Sequence, residues 1–448
     1  MKRARPLVLY LVLLVSSVAT LAADEPSRLT ILFTGEQMGR LAPCGCTEDM
    51  VGGLPRRSTF VRELRRNTGG EIVLLDNGGL VLEGGRQQEI KYEYTLLALG
   101  EMGYNACAVG FRDFALGLST LNAQAVGSPV PLILSNARRR DGGFPFERSI
   151  VIELPSGRRV AVFAILGEAF RIELSSMAPD LELLDPVATA RELVAELRPR
   201  ADLVVLLCHA GAEEAKRIAR EAPGIDVAAR GYLEEKPPEA EEKVGATAVV
   251  GTGLYGKWVA RLDVDFDPSG AVLGTRYTPT FLSGDMPEDK SVAELLADYR
   301  LQVSEEGLID RFPRMAIGDR RYLGLSGCAR CHLPQFRKWR TVKHEEALAS
   351  LEKEGADRDP ECVVCHTVGL ENEGGFRSRA LTPDLANVAC EACHGPGSRH
   401  LRNVLAPYSR PDESKCRTCH DPENSPKFEF DTYYPKIDHR NAVLRLSK

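Results

Sequence analysis

The chain has 448 residues, which is enough for two or three domains with cores of their own. Its hydrophobic content of 44% and charged content of 27% are those of a globular protein and exclude a disordered chain. The net charge of −6 disfavours a nucleic-acid-binding protein, which normally presents a basic surface. The informative totals are 12 cysteines and 8 histidines, because most of them lie in the last third of the chain.

The first 23 residues predict a signal peptide. Three basic residues by position 5 precede an apolar run at 7–21, and Ala22 or Ala23 suits cleavage. The run is short for a membrane-spanning helix, which needs about 20 apolar residues. An uncleaved N-terminal anchor is the alternative. We expect an exported, periplasmic protein that is attached to a membrane only if this segment is retained.

Residues 27–282 predict an α/β domain, because short apolar runs alternate with amphipathic helical stretches. The predicted strands are 29–34, 71–75, 106–109, 130–134, 149–154, 159–166, 203–207, 227–229 and 247–250. The predicted helices between them include 59–66, 92–102, 186–197 and 212–221. A hairpin of strands at 258–266 and 271–277 closes the domain, and residues 283–320 form a helical linker.

From residue 321 to 448 strand-like runs disappear, and the motif C-x-x-C-H occurs four times. We number these motifs one to four in chain order. Their thiols are Cys328 and Cys331, Cys362 and Cys365, Cys390 and Cys393, and Cys416 and Cys419. Their histidines are His332, His366, His394 and His420.

Each motif supplies two thiols for covalent attachment of haem c and an adjacent imidazole for the iron. Paired C-x-x-C units could instead hold zinc, but zinc does not require a histidine directly after every pair. Export also favours haem attachment over reduced zinc thiolates. The sequence therefore predicts four covalently bound haem c groups, which would replace the missing apolar core.

The remaining histidines of this region are His344, His400 and His439, and its last upstream methionine is Met315. No methionine is thus available as an axial ligand after residue 321. Three spare imidazoles can complete three irons, and one iron is left without a second histidine. A haem of that kind is where small molecules bind.

This count and spacing resemble tetrahaem cytochromes of the cytochrome c554 type, over about 130 residues. The match includes His344 twelve residues after the first motif histidine, His400 six after the third, and His439 near the C-terminus. The resemblance implies that His344 ligates the third haem, His400 the first and His439 the fourth. The second haem, on His366, would be the open one.

Residues 29–282 resemble the metallophosphatase domain of 5′-nucleotidases. The framing segments are 29–34, 52–57, 74–78, 103–106, 204–209 and 255–258. Members of that family hold two metal ions that polarise the phosphate and generate hydroxide. The resemblance implies the fold, and it implies hydrolase activity only if the ligands are present.

Most of those ligand positions have changed. The family's D-x-H is Glu36-Gln-Met38 here, and its G-D is Gly78-Gly79. Its G-N-H-E is Gly110-Phe-Arg-Asp113, its G-H-x-H is Gly231-Tyr-Leu-Glu234, and only His209 stands where a ligand is expected. One imidazole with scattered carboxylates does not assemble a dinuclear site. We therefore predict a domain without its metal centre.

Cys44 and Cys46, in the loop after the first strand, are a candidate redox pair. They could form a strained and readily reduced disulfide, a thiolate metal site or a structural disulfide. The loop is reminiscent of exported metallophosphatase-like proteins that carry the same P-C-G-C segment.

The expected architecture is a layered α/β metallophosphatase-like domain followed by a mainly α, haem-packed multihaem cytochrome c domain. The expected function is electron transfer with redox partner proteins, together with small-ligand redox chemistry at an open haem, and without nucleic acid. A metal-dependent phosphoesterase with accessory haems is the main alternative. A redox enzyme for nitric oxide or hydroxylamine chemistry is a third.

Overall fold

The computed structural model describes residues 27–43, 50–405, 408–440 and 442. The predicted signal peptide and the Cys44 and Cys46 pair lie outside these residues. Among the helices that are described, none combines the length and the apolar composition needed to cross a membrane.

The described strands are β1 Ser27–Thr34, β2 Glu71–Asp76, β3 Ala106–Ala108, β4 Leu132–Ile133, β5 Ala137–Arg139, β6 Ser149–Glu153, β7 Arg159–Leu166, β8 Leu181–Leu183, β9 Leu203–His209, β10 Val227–Arg230, β11 Glu242–Val244, β12 Thr247–Gly251, β13 Trp258–Phe266 and β14 Val272–Phe281. The helices of the same region are α1 Leu54–Asn67, α2 Arg86–Met102, α3 Leu118–Gly127, α4 Arg171–Met177, α5 Pro186–Leu197, α6 Ala212–Glu221 and α7 Lys290–Glu305. The helices that follow are α8 Leu308–Arg311, α9 Gly324–Ala329, α10 Leu333–Trp339, α11 Ala347–Lys353, α12 Pro360–His366, α13 Cys390–His394, α14 Ser398–Arg402, α15 Glu413–Arg417 and α16 Phe430–Ile437.

Two six-stranded sheets form the centre of the N-terminal region. One has the order β14-β13-β1-β2-β3-β4 and the other β11-β12-β10-β9-β7-β6. β1 pairs in parallel with β2, and β7 in parallel with β9, so the carboxyl ends of these strands meet at one edge of each sheet. Ligands of parallel α/β sheets bind at that edge.

The sheets pack face to face and helices cover their outer faces. Leu29, Ile31 and Phe33 of β1 are fully buried in the core between the sheets, together with Val162 of β7 and Val205 of β9. The alternate side of β1 packs into a second core with α1, α2 and α7, and the second sheet packs on α5 and α6. This two-residue alternation is the pattern of a strand buried on both faces.

The predicted α/β layered fold is confirmed, and the nine predicted strands and the closing hairpin are present. Three short strands, β5, β8 and β11, were not predicted, because two or three residues carry no measurable alternation. Helix α7, predicted as a polar connector, contributes buried residues such as Val292 and Val303 to the core with α1 and α2.

After α7 the described chain consists of short helices joined by turns. Its apolar cluster is small and centres on Val363, Val368, Leu370 and Phe376. The mainly helical character predicted for this region is confirmed. The thinness of the apolar cluster agrees with a domain that is completed by bulky cofactors.

Candidate functional site

Each C-x-x-C-H motif forms a single helical turn. In motif one the amide of His332 donates to the carbonyl of Cys328 at 3.0 Å, and in motif four His420 donates to Cys416 at 2.9 Å. Motifs two and three lie within helices α12 and α13. One turn of helix brings the two thiols and the imidazole of a motif to neighbouring positions, as covalent haem attachment requires.

Hydrogen bonds hold the motif histidines in one orientation. Nδ1 of His366 lies 2.7 Å from the carbonyl of Ala347, and Nδ1 of His394 lies 2.7 Å from that of Ser409. Nδ1 of His420 lies 3.0 Å from the hydroxyl of Ser425. A ligand histidine ordinarily uses its second nitrogen in this way, which fixes the tautomer and leaves Nε2 for the metal.

The spare histidines stand opposite motif histidines. The ring centres of His332 and His400 are 6.2 Å apart, those of His344 and His420 6.1 Å, and those of His394 and His439 6.0 Å. Metal–nitrogen bonds of about 2 Å on both sides of an iron separate two imidazole centres by about 6 Å. The residues therefore fit three irons, each held between two histidines.

Two of these pairs differ from the assignment implied by the cytochrome c554 resemblance. His400 stands beside His332, as implied, but His344 faces His420 and not His394, and His439 faces His394 and not His420. The reason is the path of the chain. Because Ala347 accepts from His366, the segment that carries His344 is held next to motif two, beside motif four.

The remaining motif histidine, His366 of motif two, has no opposed histidine ring in the part of the chain that the structure describes. His366 nevertheless lies near two other histidines, His344 and His420. Burial, together with the nearby His420 and His366, lowers the pKa of His344 to about 4. A neutral imidazole is the form that ligates iron.

The motifs are grouped in two pairs. The thiols of Cys328 and Cys390 are hydrogen-bonded to one another, which joins motif one to motif three. The thiols of Cys419 and Cys365 are also hydrogen-bonded to one another, which joins motif four to motif two. We call these the one–three pair and the two–four pair.

The edge where the phosphatase-like metal centre would lie is occupied by a contact between two buried side chains. Glu36, in the loop after β1, places Oε1 3.4 Å from Nδ1 of His209 at the end of β9. Burial raises the pKa of Glu36 to about 8 and lowers that of His209 to about 4. Both groups are therefore neutral at pH 7 when no metal is bound.

Gly79, at a former ligand position, and Gly110, directly before another, have no room for a larger side chain. A Cβ atom on Gly79 would lie 2.4 Å from Oε1 of Glu36, and φ is +74° there, a conformation that favours glycine. A Cβ on Gly110 would lie 2.2 Å from the amide nitrogen of Gly79 and 2.9 Å from Cε1 of His209. The space of the lost ligands is thus filled by Glu36 and the backbone.

Asp113 holds the surrounding loops together. Its carboxylate accepts from the amides of Gly79 at 3.0 Å, Leu80 at 2.7 Å, Val81 at 3.3 Å and Gly110 at 2.8 Å. Burial raises its pKa to about 7 although these bonds favour the charged form. With both oxygens engaged by amides, Asp113 is a clamp on the β2 and β3 loops.

Aromatic rings cover His209. Phe170 and Tyr232 have ring centres 5.5 Å and 5.7 Å from the imidazole, and Phe111 stacks on Phe170 at 4.6 Å. Phe111 and Tyr232 stand at two of the replaced ligand positions. The last one, Glu234, is paired with Arg230 at 2.6 Å. In the described residues no group of three or more His, Cys, Asp or Glu could hold a metal ion.

A buried arginine at this edge escaped the sequence analysis. Arg57 in α1 is fully buried; its guanidinium lies 3.7 Å from Asp76 and 3.5 Å from Oγ1 of Thr34, and it donates to Gln37. Asp76 also accepts from Thr34 at 2.6 Å. The only signal was a pair of arginines at the start of a predicted helix, and such residues are usually solvent-exposed.

Comparison with known proteins assigns the two regions separately. Residues 327–395 match the family model described as cytochrome c554 and c-prime. Cytochrome c-554 of Nitrosomonas europaea is 34% identical over 94 residues, which cover 18% of this chain and 40% of that protein. The C-terminal region is therefore similar to cytochrome c554. A match to this family implies haem c.

The N-terminal region has a metallophosphatase fold. The 5′-nucleotidase precursor of Thermus thermophilus superimposes with a TM-score of 0.55 at 21% identity, over 64% of this chain and 61% of that one. The snake venom 5′-nucleotidase of Gloydius brevicauda is 26% identical over 328 residues, or 65% of this chain. This chain spans 55% of the venom protein's length.

The Glu36–His209 contact predicts a pH dependence of stability. Because the pKa of Glu36 is raised from 4.5 to about 8, its contribution is complete below pH 4.5 and is lost as pH rises through 8. His209 has its pKa lowered from 6.5 to about 4, so it contributes fully above pH 6.5. Between pH 6.5 and 8 only the Glu36 contribution of these two declines.

We expect Glu36→Gln to reduce the decline of the unfolding free energy with pH by up to about 1.4 kcal/mol per pH unit, which is the value for one proton. The measurement is the free energy of unfolding by urea at several pH values. Glu213→Gln, at a side chain that is 88% exposed, is the control and should keep the wild-type slope. An unchanged slope in Glu36→Gln would contradict the burial of a protonated Glu36.

Proposed function

We propose that this protein is an exported multihaem cytochrome c that transfers electrons between redox partner proteins through four haems. The observation that carries the proposal is the set of three opposed histidine pairs, at 6.0 to 6.2 Å between ring centres, together with four attachment motifs. Bound haem c supplies a one-electron iron couple. The basic and apolar segment at the N-terminus supports a periplasmic location.

The protein's own residues attach the cofactors, orient their ligands and exclude competing ligands. The thiols of each motif would anchor one haem, and Nδ1 hydrogen bonds would hold three of the motif imidazoles in position. His400, His344 and His439 would fill the sixth positions in motifs one, four and three. Filled positions suit electron transfer, because no exogenous ligand binds there.

The haem of motif two is proposed to keep its sixth position open for a small molecule. His366 has an Nδ1 partner in Ala347, but the described chain offers no histidine opposite it. Small-ligand redox chemistry, including that of nitrogen oxides or hydroxylamine, would take place at this haem. The haem of motif four, which is paired with motif two, would supply or remove the electrons.

The alternative function is a metal-dependent phosphoesterase that carries haems as accessories. It is favoured by the metallophosphatase fold and by 26% identity to a 5′-nucleotidase over 65% of the chain. The geometry of the former metal centre opposes it, because Glu36 and His209 contact each other in the site. We therefore place electron transfer first.

The haem content tests the proposal most directly. The pyridine haemochrome of the full-length holoprotein, with its intact mass, should show four covalent haems per chain, because each motif has both thiols. Cys362→Ser combined with Cys365→Ser should leave three. Cys107→Ala removes a buried thiol outside the motifs and should leave four. Fewer than four haems in the wild type would refute the count.

The spin state tests the open position. One of the four ferric haems should be high-spin in the electron paramagnetic resonance spectrum, and one carbon monoxide should bind per reduced chain. His439→Ala, which removes the ring opposite His394, should add a second high-spin haem. His209→Gln, in the other domain, should leave the spectrum unchanged. Four low-spin haems in the wild type would rule out the open site.

The alternative is tested by hydrolysis of nucleoside monophosphates and nitrophenyl phosphate with added Mn²⁺, Mg²⁺ or Zn²⁺. We expect no metal-dependent turnover, because the former ligand positions cannot hold two ions. His209→Ala is the control for a contaminating enzyme. Turnover that requires metal, is lost on chelation and falls in His209→Ala would favour the phosphoesterase instead.

A further inference from the structure

The loops that would hold metals in a phosphatase contact the haem region. Helix α2 begins beside the loop after β2, and Gln88 near its start accepts from the amide of Leu82 in that loop at 3.4 Å. A Cβ on Gly39, in the loop after β1, would lie 2.9 Å from Oε1 of Gln88 and 3.3 Å from Cδ of Lys91. The two loops thus support one turn of α2.

That turn of α2 binds the helix of motif two. Nε2 of Gln88 donates to Oε1 of Glu361 at 2.8 Å, and the ammonium group of Lys91 forms an ion pair with the other oxygen. Glu361 directly precedes Cys362, a haem-attachment thiol. The side chain of Lys91 is 8% exposed, so Glu361 neutralises a nearly buried cation.

A second carboxylate anchors the same helix. Asp359 is the N-cap of α12 and accepts from the amide of Glu361 at 3.0 Å. Its oxygens also accept from Gln87 of α2 at 2.7 Å and from the hydroxyl of Tyr299 of α7 at 3.0 Å. Helix α12 is therefore attached to the phosphatase-like domain through both carboxylates of its first turn.

Motif four contacts the same edge. Lys257, in the turn before β13, lies 3.1 Å from Glu423, and Arg40 of the β1 loop lies 3.4 Å from Oδ1 of Asn424. Ser425, the next residue, holds Nδ1 of His420. The one–three pair has different anchors, since Arg399 and Arg402 near motif three bind Asp319 of the linker.

We propose that the loops of the lost metal centre form an internal docking surface for the two–four pair, and that Lys91 and Glu361 are positioning residues that set the potential of the haem on motif two. The inference rests on the proposed function, because it requires a haem there. A carboxylate next to the attachment site stabilises the more positive ferric state, and an ammonium group disfavours it. The two side chains therefore act in opposite directions.

The test is a spectroelectrochemical titration of the full-length holoprotein. Glu361→Gln keeps the shape and an acceptor for Lys91, and it should raise the potential of one transition. Lys91→Gln should lower the same transition. We expect a three- to tenfold change in the ratio of reduced to oxidised haem, which is about 30 to 60 mV at 59 mV per tenfold. The double variant should return close to the wild type.

Two further variants separate charge from damage to the interface. Arg86 also lies in α2 and forms an ion pair with Glu306, which follows α7. Arg86→Gln removes that ion pair and should leave every potential unchanged. Gln88→Met removes the hydrogen bond to Glu361 without changing the charge, so it should shift this transition far less than Glu361→Gln does.

Opposite shifts on one transition support the inference. Shifts of the same sign in Lys91→Gln and Glu361→Gln, equal shifts of all transitions, or no shift in any variant would overturn it. The haem content of each sample is first measured from its pyridine haemochrome spectrum, before the titration. A wild type without covalent haem would refute the proposed function, whereas four haems with unshifted potentials would refute only the role of Lys91 and Glu361.

Discussion

The opposed histidine pair is the constraint on which the haem region depends. His332 and His400, or His344 and His420, are separated by 68 and 76 positions in sequence, yet their rings lie 6.2 and 6.1 Å apart. Each pair therefore ties distant turns together in a region whose apolar cluster is small. Helices of five to eight residues are marginal in isolation, so the fold of this region depends on its ligands as a metal-coupled domain does.

The N-terminal domain keeps a metallophosphatase fold although most of the family's metal-ligand positions carry other residues. The sheets are held by buried apolar side chains, and they do not need the metals. At the strand ends, Glu36 and His209 form a neutral contact, Asp113 clamps loop amides, and aromatic rings cover the imidazole. These contacts hold the loops at the strand ends in position.

The two regions meet at those same loops. Gln88 and Lys91 bind Glu361, and Lys257 binds Glu423, so the edge that serves substrates in related folds faces haem-carrying segments here. When one member of an ion pair is removed and the other is nearly buried, the protein is strongly destabilised, because a buried charge is left unpaired. The relative position of the two regions is therefore sensitive to a few charges.

The sequence by itself determined the covalent haem motifs, the count of candidate ligands and the layered α/β fold, because these depend on local spacing and on strand and helix periodicity. The resemblance to 5′-nucleotidases also indicated which metal-ligand positions carry other residues. Only the tertiary structure decided which histidines face each other: His344 meets His420 and His439 meets His394, against the assignment carried over from cytochrome c554. The burial of Arg57 and the attachment of α12 to α2 were likewise decided by packing, because contacts between different elements of the fold leave no local pattern in the chain.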